Sequence, residues 1–177
     1  MRHAAQLGLA VLALWPAWVN AAASESLGDA VKATFLYKFA DFVEWPATSA
    51  ANGPFVLCAV GDDGVTALAE RAAAGQRVGA RAIVVRRLQQ VSPADGCNAA
   101  YLAGSSAQSA DAAAAALDGT PVLTIADAEN HPGVPAIIKF VLADGRVRFD
   151  VDDAAAAANH LMISSRLLDL ARTVRKR

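Results

Sequence analysis

Histidine, cysteine and the fingerprints of nucleotide binding are scarce in this sequence, and each shortage removes a class of activity. The histidines are His3, His131 and His160. None stands at zinc-ligand spacing from either cysteine, so no metal site is expected. There is no G-x-x-x-x-G-K-[ST] loop and no spaced G-x-G-x-x-G, which argues against a phosphate-cradling loop or a dinucleotide cofactor. There is no G-x-S-x-G elbow for a serine nucleophile. Lys and Arg total 16 against 17 Asp and Glu, a formal net charge of −1, so no global field favours nucleic acid. No catalytic residue, cofactor or nucleic-acid partner is expected.

The one long apolar run lies at the start. Met1-Arg2-His3 is a short basic opening, followed by an apolar stretch from Ala4 to Val19 and the small residues Ala21, Ala22 and Ala23 ahead of Ser24. This pattern predicts a signal peptide, residues 1–23, cleaved after Ala23. The alternative is a permanent membrane anchor. Pro16 interrupts the run, which falls short of the roughly 20 residues needed to span a bilayer. Residues 24–177 then form a single domain with enough chain to bury a core. Export would place the two cysteines, Cys58 and Cys97, in an oxidising compartment. There an even count suggests a disulfide, with two separate buried thiols as the alternative.

Ser26 precedes an apolar stripe of Leu27, Val31, Phe35, Phe39 and Phe42, which reads as a helix stopped before Pro46. Ser26 with Asp29 resembles a capping box at its start. Phe55–Val60 is a continuous apolar run, the mark of a strand buried on both faces. Helical spacing follows at Val65, Leu68 and Ala72. Arg81–Leu88 and Ala99–Ala103 read as further strands, 105–117 as an alanine-rich helix, and Pro121–Ile125 as a fourth strand ending at Asp127. Asp144-Gly145 between two strand-like runs predicts a hairpin. A last helix is expected on the stripe Ile163, Leu167, Leu170 and Val174. Together these predict an α/β fold: a layered, mostly parallel sheet with a C-terminal antiparallel hairpin and helices on both faces.

Few residues invite chemistry. Gly61-Asp62-Asp63-Gly64 joins a strand to a helix, where open α/β sheets bind ligands. Asp62 and Asp63 are the candidate ligand-binding residues, against a plain turn capped by Asp63. His160 and Ser164 lie one helical turn apart, but a helix cap at Ser164 or Asn159 explains them without catalysis. The basic tail, Arg172, Arg175, Lys176 and Arg177, either complements a helix dipole or attracts anionic lipid. Tyr37, Lys38 and Trp45 lie off the apolar stripe, so they are candidate partner-binding residues if the aromatics are exposed.

Several stretches, in order, resemble the YfiR family of exported proteins. They are Val31-Lys32-Ala33-Thr34-Phe35-Leu36-Tyr37-Lys38-Phe39 running into Phe42-Val43-Glu44-Trp45-Pro46; Leu57-Cys58-Ala59-Val60-Gly61-Asp62-Asp63; Pro121-Val122-Leu123-Thr124-Ile125-Ala126-Asp127; and Arg146-Val147-Arg148-Phe149 ahead of Ile163-Ser164-Ser165-Arg166-Leu167-Leu168. The resemblance implies a periplasmic α/β protein, often a homodimer. Its better-known members repress a partner diguanylate cyclase in the inner membrane, which lowers cyclic-di-GMP and biofilm formation. The redox state of the family's cysteines bears on that repression. Cys58 and Cys97 match one family disulfide, and a second pair is absent here. Other departures are Asn98 where the family often has His, Pro135-Ala136 where it has Gly-Gly, and Asp152 where it often has Asn. The expected function is therefore a non-enzymatic regulator of a membrane cyclase. A periplasmic protein that binds a small-molecule ligand is the alternative.

Overall fold

The computed structural model describes residues 19–47, 53–61 and 64–177. The expected signal peptide lies mostly outside these residues. In chain order the elements are α1 (Val19–Lys38), a 3-10 turn (Phe39–Phe42), β1 (Val43–Glu44), β2 (Phe55–Val60), α2 (Gly64–Ala73), β3 (Arg77–Val78) and β4 (Arg81–Leu88). There follow a second 3-10 turn (Pro93–Asp95), β5 (Ala99–Leu102), α3 (Ala110–Ala116), β6 (Leu123–Asp127), β7 (Ile138–Ala143) and β8 (Arg146–Asp152). The chain ends with α4 (Asp153–Ala158), β9 (Met162–Ile163), α5 (Ser165–Leu170) and β10 (Thr173–Arg175).

Eight strands form one sheet in the order β10-β8-β7-β6-β5-β2-β4-β3. The neighbours from β4 to β7 are parallel, and β7 and β8 form the antiparallel hairpin expected around Asp144-Gly145. Asp144 and Gly145 both take positive φ, at 52° and 68°, as a two-residue hairpin turn requires. The fold is α/β and mostly parallel, as the alternation of apolar strands and helices predicts.

Side chains alternate across the sheet and build two cores. Phe55, Leu57, Tyr101, Leu123, Ile125 and Phe140 face α1 and α2. Cys58, Val60, Ala100, Leu102 and Ala126 face the other way, onto the alanines of α3. Alanine packs closely here, so Ala113 and Leu117 are fully buried against the strands.

Three helix readings need correction. First, α1 begins before Ser26 and ends at Lys38, where Phe39–Phe42 tightens into a 3-10 turn. From Leu27 on, its buried residues are Lys32, Ala33, Leu36 and Tyr37, with Phe39 and Ala40 buried in the turn that follows, whereas Leu27 is 67% exposed. The apolar stripe read from sequence is therefore rotated from the true buried face. Second, residues 105–109 are not helical, and α3 starts only after its cap, Ser109, accepts from the Ala112 amide at 3.2 Å. Third, the stripe Ile163, Leu167, Leu170 and Val174 belongs to a strand, a helix and another strand. α4, a run of alanines capped by Asp152, had no apolar period to announce it.

Candidate functional site

The disulfide forms between Cys58 and Cys97 with a Cα separation of 5.8 Å. Cys58 sits mid-strand in β2, and Cys97 enters β5, the neighbouring parallel strand. The bridge is buried in the α3-side core. Beside it, Asn98 is a hydrogen-bonding hub. Its Oδ1 accepts from the Val56 amide at 2.9 Å and from the Arg81 guanidinium at 2.8 Å. Its carbonyl accepts from the Trp45 indole at 3.2 Å and from the Leu123 amide at 3.0 Å. Sequence reasoning noted Asn98 only as a family departure; a buried polar residue at a strand entrance was the available signal.

This hub determines where the candidate partner residues lie. Trp45 is half-buried, pinned to Asn98 and edge-on to Phe55, with ring centroids 5.4 Å apart. Tyr37 is buried at 7% exposure, contrary to the exposure its off-stripe position suggested. Lys38 is exposed, its ammonium 5.5 Å from the Tyr37 ring centroid. Of the three, Lys38 alone stands fully at the surface.

The topological switch point falls between β2 and β5, since the chain builds β4 on one side of β2 and then crosses to the other. Ligands commonly enter such a crevice. Here Gly61, at the end of β2, and Gly104, after β5, approach closely: Gly61 has φ 107°, and any side chain there would collide with the Gly104 carbonyl oxygen. Asp62 and Asp63 lie outside the described residues.

An open cleft of about 460 Å³ lies further along the same end of the sheet. It is lined by Gly28, Asp29 and Lys32 of α1, by Glu129 and Asn130 after β6, and by Leu142, Gly145 and Val147 of the hairpin. Its floor follows from strand alternation. Leu123 and Ile125 face α1, so Asp127 two residues on faces α1 as well and would bury a bare carboxylate. Lys32 meets it at 2.6 Å, with the two residues 8% and 1% exposed. Asn130 donates to the same Asp127 oxygen at 3.2 Å, and the Glu129 amide donates to the other at 3.0 Å. The sequence offered only a weak signal for this pair, a carboxylate in phase with an apolar strand.

The basic tail neither caps a helix nor stands free. β10 pairs in parallel with β8, setting Arg172, Arg175 and Arg177 against Asp150, Asp152 and Asp153. Arg172 grips Asp150 with two hydrogen bonds, at 2.9 and 2.5 Å, which hold that carboxyl below its ordinary pKa. The same bonds raise the Arg172 guanidinium. Asp152 also caps α4 through the Ala155 amide at 2.8 Å, a duty an Asn performs equally well.

Ser164 caps α5, its hydroxyl accepting from the Arg166 amide at 3.3 Å, while His160 occupies the link before β9 with φ 58°. The two do not share a helix. Among the described residues no group of three or more His, Cys, Asp or Glu could hold a metal ion. None of their helices is long and apolar enough to cross a membrane.

An open, mostly parallel α/β sheet stapled by one buried disulfide defines a small disulfide-bonded α/β domain. A family model described as YfiR/HmsC-like matches residues 29–172, the greater part of the chain, and the protein belongs to that family. No curated protein matches the chain.

Proposed function

We propose that this protein is a periplasmic repressor of a membrane-bound diguanylate cyclase, lowering cyclic-di-GMP and with it biofilm formation. The observation that carries the reading is the YfiR/HmsC-like match over residues 29–172, a span that contains both cysteines and every strand of the eight-stranded sheet except β10. The polar side chains lend it support. Asn98, Ser164, Asp152 and the tail arginines spend their hydrogen bonds on the fold, as suits a domain that acts through its surface. The cleaved leader over residues 1–23 would deliver the chain to the compartment where the disulfide forms.

The contact with the cyclase is proposed at the end of α1. Lys38 presents its charge there, with the buried Tyr37 ring below it, while Trp45 braces the segment that follows. Crosslinking in intact cells followed by purification from membranes tests the reading. The cyclase should be recovered with the wild-type chain and lost with Lys38→Glu, whose surface position leaves the fold intact. Recovery of the chain without any membrane cyclase would overturn it.

A further inference from the structure

The face of the β7–β8 hairpin turned away from α1 carries positive charge that the fold does not balance. Ile138, Phe140, Phe149 and Val151 face the α1-side core, so strand alternation sends Lys139, Arg146, Arg148, Asp150 and Asp152 to the other face. No residue of either strand joins the α3-side core, and Arg146 and Arg148 stand exposed. The carboxylates on this face already have partners. Arg172 holds Asp150, which also lies opposite Lys139, and Arg175 holds Asp152. Arg146 and Arg148 have neither a hydrogen bond nor an ion pair from their side chains among the described residues.

These two arginines are two residues apart on one strand face, which sets their Cα atoms about 7 Å apart. Like charges at that spacing repel, and no acid on the sheet is left to relieve them. Together with Arg172 they line an open cleft of about 460 Å³, completed by Ala143 and Asp144 of the hairpin turn. Three guanidinium groups thus meet a single carboxylate at the cleft wall. An incoming oxyanion relieves the repulsion, and the guanidinium fork matches the oxygens of phosphate. Arg172 is held in place by its grip on Asp150, so ordering it costs the ligand little. The hairpin's rings, Phe140 and Phe149, lie on the opposite face, so a nucleobase has nothing here to stack on.

We propose that this cleft binds a phosphate group, carried by a soluble phosphomonoester or by a phospholipid headgroup. Arg146 and Arg148 donate to its oxygens, and Arg172 closes one side. The site lies across the sheet from α1 and Lys38, so it goes beyond the cyclase reading and stands or falls without it.

Two titrations of the full chain test it. The first adds inorganic phosphate at constant ionic strength and follows the arginine Nε–H signals by NMR. The second measures co-sedimentation with phosphatidylglycerol vesicles against phosphatidylcholine vesicles. Saturable shifts at Arg146 and Arg148 with free phosphate, with or without vesicle binding, show a site open to soluble phosphomonoesters. Preferential retention on phosphatidylglycerol without those shifts assigns the headgroup. Arg148→Gln should weaken whichever is bound by about tenfold, the scale of one lost charge-assisted contact, with an unchanged melting curve. Arg166→Gln removes the same charge from an exposed position on α5 and should leave binding unchanged. The proposal is overturned if neither phosphate nor phosphatidylglycerol is bound, if Arg148→Gln binds like wild type, or if Arg166→Gln weakens binding as much as Arg148→Gln.

Discussion

Lys32 and Asp127, 95 positions apart in sequence, form a buried ion pair at 2.6 Å that ties α1 to the end of β6. Breaking such a pair from one side leaves a charge buried without compensation, at a cost of roughly 3–5 kcal/mol. Replacing both partners by apolar residues of similar size is often close to neutral. Asp127→Leu alone should therefore be severely destabilised, and Lys32→Met with Asp127→Leu should recover most of the loss. Urea denaturation of the two single variants and the double variant measures the coupling. Additive losses would show that the pair does not act as a unit.

The disulfide closes a loop of 39 positions and is wholly internal. Chain-entropy arguments assign such a bridge about 4 kcal/mol. For a domain of this size that corresponds to a fall in Tm of roughly 8–16 °C. Thermal melts with and without reductant, after thiol titration confirms complete reduction, should show that fall. Because Cys97 adjoins Asn98, reduction should also free the Trp45 indole from its carbonyl partner and shift the tryptophan emission. An unchanged melting curve would show that the bridge does not stabilise the fold.

Acid should release the C-terminal strand before the rest of the sheet. The Asp150 carboxyl is held below its ordinary value of 3.8, chiefly by the Arg172 hydrogen bonds. A carboxyl lowered in the folded state contributes its full stabilisation above the unfolded value and loses it as pH falls through the folded one. The β10–β8 pairing is thus intact near neutrality and weakens below the ordinary carboxylate range. Partial exposure of the pair keeps the effect local. Hydrogen exchange at β10 amides, compared with β5, should rise selectively in acid, and Asp150→Asn should produce the same rise at neutral pH. Equal protection of β10 and β5 across the range would contradict this.

The parts of this fold legible in sequence are those where one residue period serves one element. Phe55–Val60 is apolar because both faces of a central parallel strand are covered, and its bounds agree with the sequence reading, while the strand read over Pro121–Ile125 runs Leu123–Asp127. The helix boundaries failed where aromatic or aliphatic residues kept a helical beat across a change of element. Phe39 and Phe42 continue the rhythm of α1 into a 3-10 turn, and Leu167 and Val174 fill the needs of two separate elements. Tyr37 was misjudged because the true buried face of α1 is built on Ala33, Leu36 and a lysine, which no hydrophobic stripe contains. The Cys58–Cys97 pairing was legible from compartment and resemblance. The Lys32–Asp127 cleft was not, since it depends on three segments that meet only in the folded chain.

The central claim is repression of a cyclase, and cellular cyclic-di-GMP tests it most directly. The nucleotide should be quantified by mass spectrometry in cells expressing the cognate membrane cyclase, with the gene for this chain intact, deleted or restored with Lys38→Glu. Deletion should raise cyclic-di-GMP, wild-type restoration should return it to the starting level, and the Lys38→Glu chain, though exported and folded, should fail to do so. Equal nucleotide levels with and without the protein, while the cyclase is present and active, would contradict the account.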